Sequence, residues 1–178
     1  MSSTSQSPVR PSIRDILAAE SLKAESGNAA MTEKDIADLM ASILELPGGV
    51  LEVVFQTGEA LGNSLGLKSQ KKEERLFSYP YIAVVRALVI SLGSLKLQVS
   101  ALFDTPKGCA VEAQLPVDIF SLGGTMLFEV VDEGARVVRI AGSTEVKGQM
   151  FDWGKGKRKL HDVYEKIEHY SALLSPSA

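Results

Sequence analysis

Alternating apolar and polar positions dominate the second half of the chain. Leu95, Leu97, Val99, Ala101 and Phe103 alternate with Lys96, Gln98, Ser100 and Asp104, with Leu102 the one exception. That is the period of a strand with one dry face. Asp104-Thr105-Pro106-Lys107-Gly108 has turn composition. Cys109, Val111, Ala113 and Leu115 then alternate with Glu112 and Gln114 up to Pro116, and Gly123-Gly124 marks another turn. Met126, Phe128 and Val130 share a face. Beyond a turn at Asp132-Glu133-Gly134, so do Val138, Ile140, Thr144 and Val146, while Arg139, Ser143, Glu145 and Lys147 point the other way. An antiparallel hairpin with one dry side needs a cover, and the next segment supplies one. Leu160, Val163, Tyr164, Ile167 and Leu174 form a helical stripe after Asp152, a suitable N-cap.

Ahead of these strands, Ile82 to Leu92 is a nearly continuous apolar run, read as β. Phe77, Tyr79 and Tyr81 alternate before it, a spacing that puts three aromatics on one face of a strand. KSQKKEER, residues 68–75, reads as a charged loop. In the first half, Thr32-Glu33-Lys34-Asp35 resembles a capping box with Asp in the place of Glu. Ile36, Leu39, Met40, Ile43 and Leu44 follow at helical spacing and stop before Pro47. Val50 to Phe55 suits a strand or a helix. Residues 1–12 carry five Ser, one Thr and two Pro, the composition of a disordered tail. The expected organisation is a disordered or partly helical tail over residues 1–31, one α+β domain over 32–174, and a short tail over 175–178.

Three stretches carry a resemblance to a known family. LVISLGSLKLQVSALFD resembles the central strands of the START-like, Bet v 1-like (SRPBCC) helix-grip superfamily of hydrophobic-ligand carriers and polyketide cyclases. GGTMLFEVVDEGARVVRIAGSTEVKG resembles its last hairpin, and KLHDVYEKIEHY its closing helix. ILELPGGVLEVVFQTGEAL resembles its first strand and pocket rim, although the residues before Pro47 read as helix where that family has a strand. The resemblance implies an antiparallel sheet with a long C-terminal helix packed on it. It also implies a hydrophobic small molecule or lipid held between them; non-catalytic binding is the leading reading, whether the chain is an enzyme stays open, and no cofactor is expected. Candidate lining residues are Phe77, Tyr79, Tyr81, Leu97, Val99, Phe103, Met126, Phe128, Ile140 and Tyr164. A cyclase-like enzyme in the same cavity, using Tyr, His161 or Asp groups, is a further reading. The Ser/Pro tail, the α+β core and the segment LVISLGSLKLQVSALFD also resemble rhabdovirus matrix proteins. That resemblance implies self-association and contact with a membrane or a partner protein.

Composition narrows these readings. Of 178 residues, 45% are hydrophobic and 23% charged, and the net charge is -3. A balance this acidic argues against a protein living on phosphate backbones, so no specific nucleic-acid binding is expected. One cysteine, Cys109, allows no intramolecular disulfide and fits a reducing, cytoplasmic compartment. No apolar run reaches membrane-span length and the start has no signal-peptide core. His161 and His169 are two helical turns apart, too far to share a metal without help from elsewhere, so no metal site is expected. GQMFDWGKGK lacks phosphate-loop spacing. Asp118, Asp132, Glu133 and Asp152 sit at turns, where turn chemistry and capping account for them. The run Lys155, Lys157, Arg158, Lys159, beside Trp153, is different. Cations at a helix start oppose the helix dipole, so local stability does not favour them. They form a candidate site for an anion, an acidic protein or a lipid headgroup.

Overall fold

The computed structural model describes residues 11–17, 49–50, 71–116, 123–146 and 155–175. The elements in chain order are α1 (Ile13–Ile16), β1 (Gly49–Val50), β2 (Lys71–Phe77), α2 (Tyr81–Ser94), β3 (Gln98–Thr105), β4 (Gly108–Leu115), β5 (Gly124–Gly134), β6 (Val137–Val146) and α3 (Lys155–Leu174). The sheet order is β1-β3-β4-β5-β6-β2. Five strands are antiparallel, and β1 adds two residues parallel to β3. α3 packs on the sheet and α2 packs on α3. The fold is α+β, as the alternation and the C-terminal stripe predict.

β3 to β6 follow the sequence pattern closely. Cys109, Val111, Ala113, Met126, Phe128, Val130, Val138 and Ile140 are all buried in one core with Leu160, Val163, Tyr164 and Ile167 of α3. The Leu102 exception has a physical cause. The β3–β4 register shifts between Val99 and Ala101, and one extra residue in a strand reverses the faces beyond it. Val99 and Leu102 therefore both face the helices. Phe103 does not: it packs with Ala110 and Leu127 in a separate small cluster.

Four expectations are corrected. Ile82 to Leu92 is helix, not strand. Pro80 ends the extended run and stands at the N-cap of α2, because it cannot donate to a ladder but suits a helix start. α2 is buried on nearly all sides, from Tyr81 through Leu92 apart from Ile82 and Arg86. A helix enclosed all round loses its amphipathic signature, and pattern alone then mistakes it for a buried strand. KKEER, expected as loop, belongs to β2 (KKEERLF), an edge strand laddered to β6 from Lys71↔Thr144 to Phe77↔Val138. Charged side chains suit an edge strand, where they discourage further pairing. The aromatic alternation is broken up: Phe77 ends β2, Tyr79 lies in the turn and Tyr81 opens α2. Ile13, Ile16 and Leu17, placed in the tail by sequence, are buried in the main core. The predicted helix over Ile36–Leu46, the rest of Val50–Phe55, and Trp153 lie outside the described residues.

The hairpin turn lies two residues beyond the expected one. Ala135 and Arg136 have φ of 50° and 63° and join β5 to β6 as a two-residue loop with both positions left-handed. Neither residue type suits that region, where each non-glycine position costs about 1 kcal/mol. Replacing the pair by Asn-Gly is expected to stabilise the domain by about 1–2 kcal/mol in urea unfolding. An unchanged midpoint would contradict this turn geometry.

Candidate functional site

The resemblance points to the space between the sheet and α3, and the path of α3 is set by two glycines. A Cβ at Gly142, in the middle of β6, would stand 2.7 Å from Tyr164 Oη and 2.8 Å from Leu160 Cδ2. A Cβ at Gly156, in the first turn of α3, would collide with the Thr144 hydroxyl. Larger residues at either position would hold the helix off the sheet. Glycine there brings it into contact.

Of the ten candidate lining residues, Leu97, Val99, Met126, Phe128, Ile140, Phe77 and Tyr164 are buried and lie in one cluster. They pack on one another. Tyr164 stands between Phe77, at 6.1 Å between centroids, and Phe128, at 6.4 Å and edge-on. Its hydroxyl donates to the Glu73 carbonyl at 2.6 Å, so it is committed to the backbone of the edge strand. Tyr81 is also buried in that cluster. Tyr79 is half-buried, and its hydroxyl donates to Glu168 Oε1 at 2.7 Å. Phe103 lies on the opposite face of the sheet.

Sequence pattern alone does not reveal a polar cluster where α3 crosses β2. Arg75 donates to Glu73 Oε1 at 3.1 Å, to Glu165 Oε1 at 2.9 Å and to His161 Nδ1 at 2.9 Å. A guanidinium only donates, so Nδ1 accepts. The Arg75 guanidinium also lies 4.9 Å from the Tyr164 ring centroid. Burial opposes ionisation of Arg75, but the hydrogen bonds to Glu165 and Glu73 outweigh it and raise its pKa. The Tyr79 hydroxyl is raised as well, chiefly by its bond to Glu168. Burial pushes the Tyr164 hydroxyl far above its ordinary range, and the charge of Glu73 adds to that. A backbone hydrogen bond from Gly142 and the charge of Arg75 oppose it. The signal for this cluster is the charged stretch that composition reads as loop. Once KKEER is a strand, Glu73 and Arg75 must both face α3. The arrangement clamps helix to edge strand, with Arg75 held by three partners.

The basic start of α3 contrasts with it. Lys157 and Arg158 are exposed and Lys159 is half-exposed. Among the described residues, none of the three has an ion-pair partner. Arg75 and Arg139 each have two carboxylates. The first turn of α3 carries no acidic residue. Among the described residues, no group of three or more His, Cys, Asp and Glu side chains could hold a metal ion. None of the described helices is long and apolar enough to cross a membrane. Cys109 is buried on the helix-facing side of β4.

No family model matches the chain, and no curated protein matches it. Among solved structures, the crystal structure of TTHA0849 from Thermus thermophilus matches 58% of this chain and 97% of its own, at 12% identity and a TM-score of 0.34.

Proposed function

We propose that this protein is a non-catalytic interaction domain that docks on an anionic partner surface through the start of α3. One observation carries the reading: Lys157, Arg158 and Lys159 stand together without ion-pair partners among the described residues, at a helix end whose dipole disfavours them. Elsewhere in the domain, Arg75 and Arg139 are neutralised by carboxylates. A basic turn without ion-pair partners among the described residues, on a chain of net charge -3, concentrates its attraction at one spot. Each such cation contributes about 1 kcal/mol next to an anionic surface.

The test is binding to two probes, poly-glutamate and phosphatidylserine-containing vesicles, at low and high salt. Binding to at least one is expected, weakening as salt shortens the screening length. Changing Lys157, Arg158 and Lys159 together to Glu should remove about 3 kcal/mol or more, a loss of roughly a hundredfold. Binding that survives the triple change would reduce the patch to a solvated turn, as would failure to bind either probe.

A second reading, the hydrophobic-ligand carrier, is supported by the sheet order. β2, the first long strand described, pairs with β6, the last, and α3 lies across them, in keeping with the resemblance to helix-grip proteins. A ligand there would have to displace α3 from its contact at Gly142.

A further inference from the structure

His161 stands where the two charged regions of α3 meet. It lies one helical turn beyond Lys157 and Arg158, at spacings of four and three residues that share a helix face. On its other side is the cluster on β2, where its Nδ1 accepts from Arg75 Nη2 at 2.9 Å. The ring is exposed. Among the described residues, the charged groups around it are Glu73 and Arg75 from β2, and Lys157, Arg158 and Glu165 from α3. Lys159 and Asp162, two residues and one residue away, do not share its face. β6 presents the uncharged Gly142 and Thr144 to α3. The one charged residue of α2, Arg86, donates to the Ile16 carbonyl. A guanidinium only donates, so the Arg75 contact lasts only while Nδ1 carries no proton. A proton there sets two cations side by side. The contact then opens toward solvent, and Arg75 keeps Glu73 and Glu165. The released ring becomes a cation one turn from Lys157 and Arg158.

We propose that His161 is a fourth, proton-dependent cation of the α3 docking surface, so that docking on an anionic partner tightens as the imidazole takes up its proton. The inference rests on the docking role given above to Lys157, Arg158 and Lys159. In the free protein, neighbouring cations disfavour a charged ring; an anion seated over the same turn favours it. The two effects are reciprocal: the proton strengthens docking, and docking strengthens the hold on the proton. Imidazole is the side chain whose ordinary titration falls between pH 5 and 8. The added attraction is therefore fully present below that window and lost as pH rises through it. One more cation at an anionic surface tightens binding by about fivefold.

Binding of the full-length protein to dextran sulfate tests this, because that probe keeps its charge across the window. Affinity is measured at about pH 5.5 and about pH 7.5, at one low salt concentration. Three proteins are compared: the parent, His161→Gln and His169→Gln. Glutamine at 161 offers Arg75 an amide oxygen but takes up no proton. His169 is exposed on the same helix, two turns further on, and controls for the general loss of negative charge at the lower pH. The parent and His169→Gln are expected to bind about fivefold more tightly at the lower pH, and His161→Gln to gain less than about twofold. A full gain persisting in His161→Gln, or one lost equally in His169→Gln, overturns the proposal. Parent binding that is the same at both pH values overturns it and leaves the docking reading standing. No binding at either pH overturns both.

Discussion

Gly142→Val is expected to destabilise the domain by about 4 kcal/mol, the range of severe overpacking in a closed core. For a chain of this size that lowers the melting temperature by about 8–16 °C. Two effects compete. A glycine inside a strand normally weakens it, so a β-branched residue should help where space allows. Here it does not. Even a Cβ would stand 2.7 Å from Tyr164 Oη, 2.8 Å from Leu160 Cδ2 and 3.2 Å from Phe128 Cε1. Tyr164 cannot yield without giving up its 2.6 Å bond to Glu73, and Phe128 is locked in the central strand. Sterics wins. Thermal melting by circular dichroism reads the effect, and a variant melting within a degree or two of the parent would show that α3 does not rest on β6. Leu160→Ala combined with Gly142→Ala should recover part of the loss, because contacting residues are not additive.

Tyr164→Phe is expected to change how stability depends on pH. The folded protein holds the Tyr164 proton far more tightly than the unfolded chain, whose tyrosine ionises near 10.0. Above that pH the unfolded state loses its proton first and is favoured. The contribution is thus fully present below pH 10 and lost as pH rises. One unit above 10 the loss is about 1.4 kcal/mol from this residue. Phenylalanine removes that component. It also removes about 1–2 kcal/mol at neutral pH by leaving the Glu73 carbonyl without its phenol donor. Urea unfolding at pH 7 and pH 11 compares the two proteins. Parallel alkaline slopes would show that Tyr164 is not sealed under α3.

The legible part of the fold was the part with one wet face. β4, β5, β6 and α3 alternate or repeat cleanly because solvent marks their other side, and Cys109, Met126, Phe128, Ile140 and Tyr164 fall where their spacing puts them. α2 was illegible for the opposite reason. Enclosed by sheet and helix, it needs no polar stripe, and only Pro80 and the length of the run point to a helix. β2 failed because its charges look like those of a loop, yet an edge strand needs them. Phe103 was misplaced by a single bulge, which no composition signal announces. Most of the residues expected to line a cavity do point inward, the half-buried Tyr79 packing against the core from its edge; Phe103 does not. What spacing could not say is whether inward side chains surround a space or fill it. That depends on how closely α3 approaches, and Gly142 and Gly156 decide it from positions where sequence alone shows only small residues.

The central claim is that the described side chains between the sheet and α3 pack on one another, and the proposal built on it places function at the surface. Native mass spectrometry of the freshly purified protein, followed by denaturation and extraction, tests it most directly. The account predicts the bare mass of the chain and its oligomers, with nothing apolar released on unfolding. A co-purified hydrophobic molecule in stoichiometric amount, lost when the protein unfolds, would contradict it and make this domain a carrier.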